Sequence, residues 1–302
     1  AACGDLLNSP IPKVAQNGIY DCSYLANAWG MSVRGMVWDT MLMHHCLYAE
    51  QPHSLAFLAS IYCHEPFFKM MAKEADDINY QEAHWEYNAL DVVCTLETFH
   101  SLKSELKHYN LEDFYLSYYA PLSRTLARIQ SRGILIDKEK RDSLRTTLQD
   151  ELDNIQGHIK TIAERDLNPN SPKQMKEYLY GVLRLPEQRQ RGTRSVTTDD
   201  KAISTLRRKY PRHQEFLNAC LEARGKRKSI GTFLKPFEDP DGRVRTSYNI
   251  AGNSRRADAA GGAETGRLSS STNIYGRGTN LQNQPKWARE CYIPDPGWVF
   301  WQ

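Results

Sequence analysis

Leu144, Leu148, Leu152, Ile155, Ile159 and Ile162 recur at steps of four, four, three, four and three. Only an α-helix gathers such positions onto one face, so this stretch predicts a helix of about five turns. In water so long an apolar stripe needs a second helix to cover it. From Pro121 onward the pattern stays almost wholly helical. N-P-N-S-P-K-Q-M-K-E-Y-L stops one helix and starts another, with Ser171 as cap and Pro172 in the first position. Residues 186–198 read as a polar loop rich in Arg and Thr, and a further helix at about 212–235 carries A-R-G-K-R-K-S. After D-P-D-G, the segment R-V-R-T-S-Y-N alternates as a strand does.

The front is organised differently. Ile11–Gln16 reads as a buried strand that ends at the Asn17-Gly18 turn, and Tyr24, Leu25, Ala28 and Trp29 mark a helix closed by Gly30. A short strand over Arg34–Thr40 leads into a helix at about Thr40. A second helix spans Ser54–Tyr62, and residues 81–108 form a long helical pattern. Alternating strands and helices predict an α/β front. At 302 residues the chain exceeds what one core ordinarily supports, so two domains, or one and part of another, are expected.

Charge follows the same division. Residues 1–110 hold 6 Lys+Arg against 13 Asp+Glu, net −7, whereas residues 111–302 hold 33 against 23, net +10. A basic half suits a polyanionic partner, and an acidic half supplies either a solvated surface or metal ligands. The seven cysteines are scattered with no C-x-x-C pair, which argues against a disulfide framework or zinc site and for a reducing cytoplasm. No apolar run is long enough to span a bilayer, no basic-then-apolar leader opens the chain, and no membrane partner is expected. A-A-C-G-D-L-L without Met points to a processed chain or a fragment.

Two acidic stretches stand out, Q-N-G-I-Y-D (Gln16–Asp21) and E-Y-N-A-L-D (Glu86–Asp91). Tyr87 and Asp91 are four apart on a helix and share a face. Two-metal phosphodiester hydrolysis needs carboxylates to hold the ions and a group to aim water, roles open to Asp21, Asp91 and Tyr87. N-x-x-Y-D, then R-G-x-x-x-D-T-M-L, then H-S-L-A-x-L-A, then Y-x-x-x-D-V-x-x-T resembles, in this order, the 3′–5′ proofreading exonuclease of family A (DNA polymerase I-like) DNA polymerases. The resemblance implies an RNase-H-like (DnaQ-like) fold, with Asp21 and Asp91 as metal carboxylates, Tyr87 orienting water and Asn17 holding a single-stranded DNA 3′ end. The family's first motif, Asp-x-Glu, has no counterpart before Asn17, since Asp5 is followed two positions on by Leu7. An incomplete Mg²⁺ cage is therefore expected.

The resemblance continues through S-R-T-L-A-R-I-Q-S-R-G-I-L-I-D, the S-P-K-Q-M helix start, T-R-S-V-T-T, L-E-A-R-G-K-R-K-S-I-G-T-F and D-G-R-V-R-T-S-Y-N, in the order of that family's thumb and early palm. Lys226, Arg227 and Lys228 fan around one helix, so at least one side can face phosphates, as the thumb resemblance implies. T-G-R-L-S-S-S and N-L-Q-N-Q-P resemble the palm edge that lines the minor groove beside the primer end. Every correct pair offers acceptors at the same places there, so the resemblance implies that donors from Arg267, Gln282 and Asn283 can test pairing without reading sequence. Ser269 and its neighbours offer small donors to phosphate, Asn280 joins the amide set, and Gly266 admits close backbone approach. T-N-I-Y-G-R-G-T lengthens the spacer between Ser271 and Asn280 and leaves the direction of Arg277 open.

These readings predict an exonuclease domain over 1–110, a mainly helical thumb over 111–240 and the start of the palm over 241–302, ending before the first catalytic aspartate. The implied parent copies primer–template DNA with dNTPs and removes mispaired ends, with Mg²⁺ at both sites, while the piece itself is inactive. The alternatives are a stand-alone 3′–5′ exonuclease of the DEDDy type and a non-catalytic duplex-binding module. The compact loops suggest a phage-encoded protein of the bacterial cytoplasm, and the sequence carries no mark of a processivity factor.

Overall fold

The computed structural model describes residues 2–65, 81–235, 238–252, 265–273 and 275–301. Ala263, Glu264 and Ile274 of the serine- and amide-rich stretch lie outside them. The chain opens with α1 (Ala2–Asn8), β1 (Lys13–Ala15), α2 (Gly18–Trp29), β2 (Met36–Asp39), α3 (Thr40–Leu47), α4 (Leu55–Tyr62) and α5 (Gln81–His108). A π-turn over Tyr115–Tyr119 leads into α6 (Ala120–Arg132) and β3 (Ile134–Ile136). Then come α7 (Lys138–Ala163), α8 (Pro172–Lys176), β4 (Gln188–Arg189), β5 (Val196–Thr197), α9 (Asp200–Lys209) and α10 (Gln214–Phe233). The last elements are β6 (Arg243–Val244), β7 (Ser247–Asn249), β8 (Ser269–Ser271), α11 (Lys286–Arg289) and β9 (Tyr292–Ile293).

Two compact units result, one from residues 1–135 and 237–283, the other from 136–236 and 284–302. In the first, β1 and β2 pair in parallel, with Ala15 opposite Asp39, and each strand runs into a helix. Asp39 joins the two junctions. Its carboxylate caps α3 by accepting from the Met41 and Leu42 amides, at 3.0 and 3.4 Å. It also accepts from the amides of Asn17 and Gly18 at 3.0 and 2.8 Å, fastening the start of α2 to the end of β2. The Asp39 amide donates to the Tyr115 hydroxyl at 2.8 Å, and that hydroxyl donates to Val37 O at 3.2 Å. The Tyr115 ring lies flat on Trp38, 5.3 Å between centroids, within a core of Leu42, Met43, Phe99, Leu102 and Leu106.

The strand expected over Ile11–Gln16 is shorter and only half-buried, because Ile11 points outward while β1 has a strand partner on β2 alone. R-V-R-T-S-Y-N is not one strand but two. β6 pairs antiparallel with β3, and β7 pairs with β8. The ladder breaks between them, at Arg245 and Thr246, where the Arg245 guanidinium turns to Ser131 O, Asp239 and Asp241 at 2.8, 2.8 and 2.6 Å. Gln130 of α6 then seats the β7–β8 pair. Its amide nitrogen donates to the Ser23 hydroxyl on α2 at 2.9 Å, and its oxygen accepts from the Tyr248 amide at 2.5 Å.

In the second unit the Leu/Ile stripe lies on α7 as expected, with Leu152 and Ile159 buried and Ile155 and Ile162 packed beside them. α10 covers it through Leu217, Cys220 and Ala223. Full burial of a residue such as Ile159 contributes about 1.5–3 kcal/mol. The polar loop at 186–198 contains a two-residue ladder, β4 against β5. Ser171 caps α8 by accepting from the Gln174 amide. The seven cysteines are free thiols, and no helix among the described residues is long and apolar enough to cross a membrane.

Burial pushes the Asp39 carboxyl up to about 6 although four backbone N–H groups favour its anion. Between the ordinary value of 3.8 and about 6 the folded chain then holds more protons than the unfolded one, so this group's contribution to stability rises as pH falls through that window. Urea unfolding at pH 7 should show Asp39→Ala destabilised by about 2–4 kcal/mol, since four amides lose their acceptor. The gap between wild type and Asp39→Asn should widen by about 1 kcal/mol from pH 7 to pH 5. A gap that narrows would remove the raised pKa.

Candidate nucleic-acid interface

The hairpin of β7 and β8 pairs Ser247 with Ser271, Tyr248 with Ser270 and Asn249 with Ser269. Tyr248, Ile250 and Leu268 pack on the core of the first unit, so one side of the hairpin is fixed and the other faces solvent. Arg267 stands exposed just before β8. Gly266 beside it has φ 72°, a left-handed conformation that favours glycine, and a Cβ there would meet no other atom of the chain within 4 Å. The Ser269 hydroxyl accepts weakly from the Asn249 side-chain Nδ2 at 3.5 Å.

Beyond the hairpin, Leu281–Asn283 forms a single 3₁₀ turn that carries Gln282 and Asn283 outward. Asn280 holds this turn. Its side-chain oxygen accepts from the Gln282 and Asn283 amides at 3.0 and 3.2 Å and from the Ser270 hydroxyl at 2.7 Å. The fastening is an N-cap that also grips a strand, so Arg267, Gln282 and Asn283 sit on one local frame. Asn280 thus positions the amides around it. The insertion is equally well tied. Asn273 accepts from the amides of Tyr275 and Arg277 at 3.0 and 2.9 Å, Arg277 pairs with Asp239 at 2.9 Å, and its guanidinium covers the Tyr275 ring. Arg277 is therefore turned toward the protein.

Asn17 takes the left-handed conformation, φ 59°, ahead of α2, and borders a small crevice with Asp39, Tyr248 and Asn249. Asp21 lies in the first turn of α2, where the helix dipole favours a carboxylate. Although Asp21 is exposed along the helix, desolvation of its carboxyl by the surrounding chain raises its pKa. Tyr87 and Asp91 share a face of α5. Both are half-buried, and Tyr87 packs against the cluster of Leu55, Ala59 and Cys94. Among the described residues no group of three or more His, Cys, Asp or Glu side chains could hold a metal ion. Two carboxylates do not fit a two-metal cage, which needs several.

In the second unit, Lys226 is ion-paired with Glu151 of α7, so part of its charge serves helix packing. Arg227 and Lys228 are exposed. Lys228 and Lys176 line a cleft of about 430 Å³, where Arg224 is held by Asp200 and by the carbonyls of Pro169 and Thr198. Sequence reasoning missed Asp39, Tyr115 and Gln130, which fix the frame. The aspartate ending a strand just before T-M-L was a legible cap signal, whereas nothing local marks Tyr115 or Gln130 as long-range partners.

Comparison with known proteins assigns both halves. Residues 2–107 match the 3′–5′ exonuclease family model, and residues 138–302 match that of DNA polymerase family A. The chain belongs to DNA polymerase family A. This family A chain is similar to DNA polymerase I of Synechocystis sp., 28% identical over 319 residues that cover 98% of the chain and 30% of that protein. It is likewise 28% identical to DNA polymerase I of Pseudomonas aeruginosa over 90% of the chain and 29% of that protein. It spans about 30% of the length of these relatives. The polymerase domain of Pol1 from M. smegmatis, solved in complex with DNA primer-template and dNTP, shares the fold, with TM-score 0.72 and 24% identity over 96% of this chain and 46% of that one. The α/β exonuclease front and helical polymerase region expected from the sequence are thus present. A stand-alone exonuclease leaves residues 138–302 unexplained.

Removing the Asn280 acceptor should cost about 1–2 kcal/mol of stability, because three donors lose it together. Asn280→Asp keeps the acceptor and should stay within about 0.5 kcal/mol of wild type. Urea unfolding of the two variants decides this, and equal stability of Asn280→Ala and wild type would strip Asn280 of the positioning role.

Proposed function

We propose that this chain is the part of a DNA-directed DNA polymerase with a 3′–5′ proofreading exonuclease domain that takes hold of primer–template DNA during replication. The observation that supports this reading is the Asn280 fastening, which ties the turn of Gln282 and Asn283 to the strand that follows Arg267. Three outward donors on one rigid frame suit the minor groove, where purine N3 and pyrimidine O2 lie at the same places in every correct pair. A donor there senses pairing geometry and ignores sequence. Ser269 completes this edge, and Arg227 and Lys228, with the remaining charge of Lys226, track phosphates along the duplex.

In the exonuclease part, Asp21 and Asp91 supply a portion of a carboxylate set for Mg²⁺, Tyr87 stands one helical turn from Asp91, and Asn17 meets a single-stranded 3′ end. Hard carboxylate oxygens suit Mg²⁺. The functional division we propose is 1–110 for the exonuclease, 111–240 for the thumb and 241–302 for the start of the palm. In the complete enzyme dNTPs are the second substrate, and the bacterial cytoplasm, with a phage among its possible sources, is the setting we assign.

The test is Arg267→Ala in the complete polymerase. A lost minor-groove contact at the primer end should slow extension by about tenfold or more while overall duplex affinity changes by less than about threefold. Equal losses in extension and binding would reduce Arg267 to a phosphate contact.

A further inference from the structure

Three arginines surround one cleft in the first unit. α6 presents Pro121, Arg124, Thr125 and Arg128 along a single face, and residues 33–35 form the opposite wall with Val33, Arg34 and Gly35. The cleft holds about 530 Å³ and opens to solvent. No acidic side chain lines it, and among the described residues Arg34, Arg124 and Arg128 make no ion pair. Thr125 spends its hydroxyl proton on Pro121 O at 2.9 Å, so the free donors in the cleft are the guanidinium groups.

Both walls are preorganised. α6 is anchored from behind by buried Ser123, Leu126 and Gln130. The loop wall is held by Lys13, whose ammonium donates to Ser9 O, Ile11 O and Arg34 O at 2.9, 3.1 and 2.8 Å and whose amide donates to Gly35 O at 2.7 Å. The Arg34 amide donates to Leu7 O at 2.9 Å. Gly35 has φ 68°, and a Cβ there would lie 2.2 Å from Ile11 O, so only glycine fits this wall. Lys13 is thus consumed by structure, while Arg34, Arg124 and Arg128 are left to solvent. Like charges collected in a concavity repel one another until an anion joins them, and low-dielectric walls concentrate their field.

The volume is that of a ligand site and exceeds one phosphate. It corresponds to a cube of about 8 Å on a side, which does not admit a duplex whose major groove alone is about 12 Å wide. Guanidinium forks match phosphate oxygens, and Val33 with Pro121 offers apolar surface to sugar and base. Arg124 and Arg128, one turn apart, face more than one phosphate position across from Arg34. We propose that this cleft binds the phosphodiester backbone of a single nucleic-acid strand, at a place separate from the minor-groove edge. The inference rests on the nucleic-acid reading above.

The experiment titrates the chain with an end-labelled pyrimidine oligonucleotide and with a blunt duplex across a salt series. Arg124→Ala/Arg128→Ala should weaken single-strand binding by about tenfold and flatten the logarithmic salt slope by about 1.4, two contacts at about 0.7 each. Blunt-duplex affinity should stay within about twofold, and Arg124→Lys/Arg128→Lys should restore most of the strand affinity. Unchanged strand affinity and slope in the alanine variant, with duplex binding intact, would overturn this site alone. Pyrophosphate binding lost in the variant with strand binding unaffected would make it a small-anion site and overturn the strand assignment. A wild-type chain that binds neither strand nor duplex would sink both this inference and the reading it rests on.

Discussion

The carboxylate of Asp39 is the constraint from which the first unit is built. It lies at the end of β2, fully out of water, and four backbone amides from two helix starts converge on it. A buried anion is costly unless such donors surround it, and a helix start leaves amides unsatisfied unless an acceptor reaches them. One side chain answers both needs. The same contacts fix where α2 begins, and so where Asn17 and Asp21 stand. Tyr115 completes the arrangement from a distant segment by hydrogen-bonding the Asp39 amide and stacking on Trp38. Such a stacked pair adds about 0.5–1.5 kcal/mol beyond its area.

From this base the frame reaches the candidate nucleic-acid edge through buried polar links. Gln130 joins α2 to β7, Ser270 on the paired strand β8 reaches Asn280, and Asn280 sets the turn that carries Gln282 and Asn283. Each link is a buried or half-buried polar group with its partner supplied. Fully paired links of this kind rigidify a structure, and rigidity is what a sensor of base-pair geometry requires. The Arg245 network with Asp239 and Asp241 serves the same end, and the insertion adds a further tie through Arg277.

Local chemistry made much of this legible in the sequence. The stripe on α7, the Ser171 cap with Pro172, the start of α3 at Thr40 and the bounds of α5 follow from periodicity and capping, which act within a few residues. Interactions that span long separations were not legible. R-V-R-T-S-Y-N alternates correctly, yet whether it forms one strand or two depends on partners more than a hundred residues back, Ile134 and Gln130. Lys226 looked like its neighbours until Glu151 on another helix claimed it. Arg277 sat in an insertion of unpredictable direction until Asp239 fixed it. Tyr87 and Asp91 share a helix face as their spacing requires, while the packing of Tyr87 against Leu55, Ala59 and Cys94 depends on a distant helix.

This family A chain, which spans about 30% of its relatives' length, carries an edge on which Arg267, Gln282 and Asn283 stand outward. We propose that this edge meets the minor-groove acceptors of the primer end through Arg267. The most direct measurement compares the chain's affinity for two primer–templates that differ only in the terminal primer purine, natural in one and its 3-deaza analogue, without the N3 acceptor, in the other. Wild type should bind the analogue about twofold more weakly and Arg267→Ala should bind the two alike; equal affinity of the wild type for both duplexes would show that Arg267 makes no contact with N3.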